Sequence, residues 1–267
     1  MVLCKICDGE SRATHRGTVL GRHQATYHMC VDCAYWFIDE PYWLEEAYSE
    51  AVAAIDTGVA QRNLRLSPVL TSVLAGMFGP DGVYVDYGGG YGLLVRLLRD
   101  AGLNFYWQDP HCQNLFARGF EWDGGRQGFA TAVTAVEVME HVADPLAFVD
   151  TALRETGANS FVFTQYLHDG TANPSWWYLA PEAGQHVSFY AALTLRTLAH
   201  RLGMAYHPAG TLHLLTRQKF RKGAFDRAVR FHRCYYPLRK RRLRPRWMQD
   251  HEQLVRRIRC ASGAAPA

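Results

Sequence analysis

Residues 83 to 96 read VYVDYGGGYGLLVR, and no other stretch restricts the fold of this chain so tightly. Val83 to Tyr87 form a Val/Tyr-rich strand pattern, and LLVRLLRDAG after it keeps helical spacing up to a Gly102 C-cap. Between them stand Gly88, Gly89, Gly90 and Gly92, each a poor choice inside either element. Glycine is useful here only where the chain needs positive φ or where backbone must come within contact distance of a ligand. Strand, glycine turn and helix make the first half of a βαβ unit, with free N–H groups at the helix start aimed at whatever binds.

Which ligand that is follows from the spacing. The dinucleotide fingerprint G-x-G-x-x-G needs glycine at position 93 or 95, where this chain has Leu93 and Val95. The pattern present is Asp86-x-Gly88-x-Gly90-x-Gly92. A leading carboxylate suits a cationic ligand and repels a pyrophosphate. This pattern resembles motif I of the class I methyltransferases that use S-adenosylmethionine (SAM). The resemblance implies that Asp86 serves the ammonium of SAM. LNFYWQDP then reads as a second strand ending in Asp109 and Pro110, placed to hold the ribose diol. FARGFEW (116–122) is expected to be the third strand, near adenine. ATAVTAVEVMEHVADPLAFV is expected to be the fourth strand and its helix, with Glu137 on the cleft side and His141 structural. The fold class implied is α/β, a seven-stranded doubly wound (Rossmann-like) sheet.

NSFVFTQYL reads as the fifth strand, and AYHPAGTLHLLT as the two closing ones. Between them, QHVSFY resembles the Glu-His-Tyr-Ser-Tyr segment of bacterial deoxysugar C-methyltransferases. Residues 176 to 190 are more similar still to the WWYYA-E-GQHVSFYS pattern of methyltransferase-23-type proteins found in bacterial glycan clusters. WLEEAY, DTG and the Arg62-Asn63 pair resemble their N-terminal helices, and Arg62 joins the cofactor-binding candidates. The resemblance implies that His186 lies at the acceptor as general base. The Glu expected beside it is Gln185 here, which favours O-methylation of a sugar hydroxyl over C-methylation. Trp176 and Trp177 offer aromatic faces to a sugar ring. An RNA or other nucleic-acid methyltransferase and a non-catalytic SAM-binding scaffold stay open as alternatives.

Ahead of all this, Cys4, Cys7, Cys30 and Cys33 form two C-x-x-C knuckles 22 residues apart. Four thiolates at that spacing suit a structural zinc, and the hairpin between them cannot bury a core alone. Redox and disulfide readings fit less well, because the N-terminus carries no signal-peptide core and the pairs are matched. Cys112, Cys234 and Cys260 have no spacing partner and read as ordinary thiols.

Charge is segregated at the other end. The chain nets +4, yet residues 217–267 alone hold 16 Lys/Arg against 3 Asp/Glu. Such a tail meets an anionic partner or covers the protein's own acidic face. The partners expected are a sugar or lipid-linked glycan acceptor, with a peripheral membrane surface or a glycosyltransferase against the tail, and nucleic acid less so. The organisation expected is 1–38 zinc ribbon, 39–80 helical connector over the SAM site, 81–216 methyltransferase domain and 217–267 basic helical tail. The location expected is cytoplasmic, at the inner face of the membrane if the tail docks there.

Overall fold

The computed structural model describes residues 2–48 and 55–261. It opens with antiparallel strands β1 (Val2–Leu3), β2 (Glu10–Val19), β3 (His23–Cys30) and β4 (Trp36–Ile38). Leu20 (φ 51°) and Gly21 (φ 69°), both in the left-handed region, are the central residues of the turn closed by Arg22 N on the Val19 carbonyl, which reverses the chain between β2 and β3. Helices α1 (Leu44–Ala47) and α2 (Val59–Met77) follow. Residues 49–54 of the expected 39–80 connector lie outside the described residues. Pro68, expected to punctuate this region, sits inside α2. It costs the helix one backbone bond, to the carbonyl of Leu64, a residue whose side chain faces solvent.

The glycine turn then joins β5 (Val83–Tyr87) to α3 (Leu93–Asp100), followed by β6 (Asn104–Gln108) and β7 (Ala132–Ala135). The rest of the α/β unit is α4 (Pro145–Thr156), β8 (Ser160–Thr164), the short β9 (Leu167–His168), β10 (Ser188–Ala191), α5 (Ala192–Arg201), β11 (Ala205–Ala209) and β12 (Leu212–Thr216). The central sheet runs β11-β12-β8-β7-β5-β6, with β12 antiparallel to both neighbours and the β8-β7-β5-β6 run parallel. It has six strands, not the seven expected. Residues 116–122 contribute one parallel bridge, Glu121 to Trp107. The amides of Leu115 and Phe116 bond the Tyr91 carbonyl, and Gly119 (φ 84°) breaks the extended path. Within 116–122, Phe116 N is spent on the glycine turn, Ala117 N on Asn114 Oδ1, Gly119 N on Glu121 Oε1 and Phe120 N on the Ala117 carbonyl, while Trp122 N reaches β6 at the Trp107 carbonyl.

The fourth strand is also shorter than expected. It ends at Ala135, because Glu137 takes φ 55° and sends the chain into a 3-10 turn over Met139–His141.

The second sheet joins the two ends of the molecule, in the order β1-β2-β3-β4-β10-β9. Ser188 and Phe189 of β10 pair with Phe37 and Trp36 of β4. Tyr35 Oη lies 2.6 Å from Ser188 Oγ, and Thr194 Oγ1 donates to the Cys33 carbonyl at 2.8 Å. Cys4, Cys30 and Cys33 share one hydrophobic cluster with Met139, Tyr190 and Leu195. The ribbon thus obtains the core it lacks from the α/β unit.

The tail forms α6 (Ala224–Arg230), α7 (His232–Lys240) and α8 (Trp247–Ala261). Phe225, Ala228 and Leu243 bury against α2 and α3. The expectation that basic residues cover an acidic face of the body is reversed where α8 is anchored. Its Asp250 accepts hydrogen bonds from Arg99 Nε (2.8 Å) and Nη2 (2.6 Å) and from Arg96 Nη2 (2.9 Å) of α3. One of the tail's three acidic residues, Asp250, faces inward, and most of its cations stay exposed.

Candidate active site

The carboxyl ends of β5, β6 and β7 meet over the glycine turn. Gly88, Gly90 and Gly92 have φ of 81°, 53° and 84°. Each is needed for its conformation, and two also for space. A Cβ on Gly88 would stand 2.9 Å from Val138 Cγ2, and one on Gly92 would stand 2.6 Å from Asn114 Oδ1. A Cβ on Gly90 would meet nothing within 4 Å, so the turn presents its bare backbone to open space there. Such a cradle fits a ligand lying against the loop.

Two carboxylates flank it. Asp86 is buried at the end of β5, accepts from Thr134 Oγ1 at 2.6 Å, and has its pKa pushed up to about 7 by desolvation. A buried carboxyl with one hydrogen bond and no cation has capacity for an ammonium group. Asp109, past β6, accepts from Gly90 N (2.9 Å) through Oδ2 and from His111 N (2.8 Å) through Oδ1. Each oxygen keeps a lone pair, which is what a vicinal diol needs. Trp107 Nε1 donates to the Gly90 carbonyl at 2.7 Å and helps to fix the turn. Pro110 is exposed just beyond. The residues present therefore fit SAM.

Glu137 and Arg62 are placed together. Glu137 accepts from Thr164 Oγ1 at 2.7 Å while its amide donates to the same oxygen, and its other oxygen lies 3.5 Å from Arg62 Nε. Arg62 also forks onto Asp56 at 2.6 and 3.1 Å.

His186 belongs to a cluster that the sequence alone did not assemble. Its Nδ1–H donates to the Tyr178 carbonyl at 2.6 Å, which leaves Nε2 as the ring's lone pair. The His141 ring lies edge-on at 5.0 Å, and its Nδ1 is 2.8 Å from Tyr48 Oη. Glu140 is 1% exposed. One oxygen of Glu140 and one ring nitrogen from each histidine lie within 4.8 Å of one another. Burial lowers the pKa of both histidines, that of His141 to about 3, and raises that of Glu140 to about 8. Tyr48 links the two halves of the cleft, because its ring also stacks at 6.2 Å on His111, which follows Asp109 and Pro110.

The sequence reading missed Glu140 and took His141 as structural. The Glu-His dipeptide at a strand end was the available signal. Gln185 does leave the site, donating to the Ala47 carbonyl at 2.8 Å, but Glu140 brings a carboxylate to His186 from another element. Of the two tryptophans, Trp176 packs into the ribbon core, while Trp177 is 68% exposed beside Tyr166.

At the other end of β10 the four cysteine sulfurs converge within 4.8 Å of one another, with Cys4 and Cys33 at 3.6 Å and Cys7 and Cys30 at 3.4 Å. Sulfurs bound tetrahedrally at about 2.3 Å stand roughly 3.8 Å apart, so the donor set fits zinc. The two knuckles are conformational twins. Asp8 N bonds Cys4 O and Ala34 N bonds Cys30 O, and Asp8 and Ala34 both have positive φ (63° and 56°).

The methyltransferase domain family matches residues 59–208. The chain belongs to that family. Among solved structures similar to this methyltransferase is TnmH, 22% identical over 58% of this chain and 55% of that one, with a TM-score of 0.40. The chain spans about half the length of TnmH. Others are magnesium protoporphyrin IX methyltransferase (ChlM) from Synechocystis PCC 6803 with bound SAM (13% identity, 67% of this chain and 98% of that one, TM-score 0.41) and human N-acetylserotonin methyltransferase in complex with SAM (13%, 67% and 66%, 0.42). No curated protein matches this methyltransferase.

Proposed function

We propose that this methyltransferase uses SAM to methylate a sugar hydroxyl, with His186 as general base and zinc in the cysteine ribbon. The observation that carries the reading is the His186 ring. It is held by its Nδ1–H on the Tyr178 carbonyl, which leaves Nε2 free, and it lies against His141, whose partner Tyr48 stacks on His111 next to Pro110 and Asp109. Asp86 takes the ammonium of the cofactor, and Asp109, beside Pro110, takes its ribose hydroxyls. Arg62 and Glu137 brace each other.

Bound SAM supplies a sulfonium methyl group whose leaving group is a neutral thioether. His186 needs only to orient the acceptor hydroxyl in line and take its proton at Nε2 as the new oxygen–carbon bond forms. Its depressed pKa keeps the ring neutral, hence basic, near pH 7. Glu140 lies close enough to share the charge that appears on the imidazole. The exposed ring of Trp177 beside Tyr166 suits the C–H face of a sugar at the cleft mouth.

Methyl transfer from labelled SAM to a panel of sugar and glycan acceptors, with product analysis for an O-methyl ether, tests this. His186→Ala is expected to lower the rate by about 10²–10⁴ and leave S-adenosylhomocysteine affinity unchanged. Transfer to RNA with none to sugars would replace the substrate class. Full activity in His186→Ala would remove the base.

A further inference from the structure

A general base requires one lone pair, and this cleft presents three donors at one point. We propose that Glu140, His141 and His186 form a second metal site, taking a zinc-class divalent cation at the acceptor end of the cleft. The inference rests on the reading of that cleft given above for its location, but not for its geometry.

Three features carry it. The donor atoms lie within 4.8 Å of one another, so a closure of about an ångström brings them round an ion bound at 2.0–2.2 Å. Glu140 Oε2 is buried with no partner at hydrogen-bonding geometry among the described residues, in a residue 1% exposed whose carboxyl has the Tyr178 hydroxyl as a polar neighbour. A buried oxygen of this kind is costly unless something satisfies it. Finally, both histidines carry the outer contact that metal-binding imidazoles use. Nδ1 of His186 donates to a backbone carbonyl, which frees its Nε2, and Nδ1 of His141 pairs with the Tyr48 hydroxyl, which frees Nε2 in the tautomer that donates to that oxygen.

Two imidazoles and a carboxylate suit zinc, cobalt(II) or a similar ion, in contrast to the four thiolates of the ribbon. Arg62 is the cation facing this point, and Asp56 and Glu137 neutralise it. Three protein ligands leave a coordination position open, as sites that admit a substrate oxygen do.

Zinc-replete full-length protein titrated with cobalt(II) tests the site. Wild type is expected to bind a second equivalent of metal whose spectrum lacks thiolate-to-metal charge transfer. Glu140→Gln and His141→Ala should each weaken that uptake at least about tenfold, with the ribbon's equivalent retained. Glu140→Gln, nearly isosteric, carries the comparison if His141→Ala fails the folding check by circular dichroism. No cobalt uptake, or uptake only by displacement of the ribbon zinc with a thiolate spectrum, overturns the proposal. Adding zinc to the methyl-transfer assay separates this site from the base reading. If His186 is the base, zinc at the second site stops transfer and a chelator restores it. Faster transfer with zinc would retire the base and leave the metal site standing.

Discussion

Asp86 shows how much chemistry one residue can hold. Its carboxyl is desolvated at the end of β5, and its pKa of about 7 lies far above the unfolded value of about 3.9. A carboxyl whose folded pKa is raised binds its proton more tightly in the native state. In the free protein it therefore lowers stability progressively as pH rises from about 4 through about 7. An ammonium ligand reverses the preference, because it needs the carboxylate. SAM affinity is accordingly expected to rise between pH 6 and 8, with net proton release on binding. Calorimetry in buffers of differing ionisation enthalpy reads this directly, and a flat profile in wild type would separate Asp86 from the ammonium. Asp86→Asn should abolish the pH dependence. His186 behaves in the opposite sense, since burial lowers its pKa. The acid limb of the rate profile should then lie below the ordinary histidine range near 6.5.

At the scale of elements, the consequential contact is β4 with β10. The ribbon knuckle at Cys30 and Cys33 leads directly into β4, and β4 holds the strand that begins two residues after His186. Ile38 N bonds the Val187 carbonyl, and Val187 N bonds the Glu140 carbonyl, both at about the length of an ordinary amide bond (2.9 and 2.8 Å). Glu140, His186 and the ribbon are thereby tied into one hydrogen-bonded unit. The glycine turn lies in the other sheet. Stripping the metal with a chelator, or replacing Cys33 with Ser, should therefore lower methyl transfer more than cofactor affinity. Parallel measurement of turnover and S-adenosylhomocysteine binding decides this. Equal loss of both would mean that the ribbon supports the whole fold, not the acceptor side alone.

For the whole molecule, the tail is both a structural element and an outward field of charge. Asp250 is the counter-ion of Arg99, a guanidinium buried under the Phe120 ring at 3.7 Å, so cutting the tail at residue 216 would leave that cation without its carboxylate. Breaking a buried pair in this way costs about 3–5 kcal/mol. Truncation therefore tests folding, not association. Arg241, Arg242 and Arg244 are exposed, and they can be changed without touching that anchor. If the tail meets an anionic membrane, Arg241→Gln/Arg242→Gln/Arg244→Gln should weaken binding to anionic vesicles by about 1 kcal/mol per charge, with the melting temperature unchanged. Binding that is indifferent to the three charges would exclude a membrane role for this stretch. No helix among the described residues is long and apolar enough to cross a membrane.

What could be read in the chain alone was whatever is encoded locally. The glycine spacing, the acidic residues at strand ends, the paired C-x-x-C knuckles and the strand–helix alternation all depend on neighbours a few residues apart. They were enough to place β5, β6, β8, β11 and β12, and to single out Asp86, Asp109, His186 and the four cysteines as candidates. Competition between distant groups was not legible. Tyr91, Asn114, Glu121 and Ala117 take amides that a third strand would have used, and Glu137 turns the fourth strand short of Met139. Glu140 reaches a histidine 46 positions away only because β10 crosses from the α/β unit to pair with the ribbon. Local sequence determined which elements form and which ligand the first turn suits. Tertiary packing alone decided that the cysteine ribbon and the strand after His186 share a sheet, since only burial between elements brings a carboxylate and two imidazoles out of water to one point.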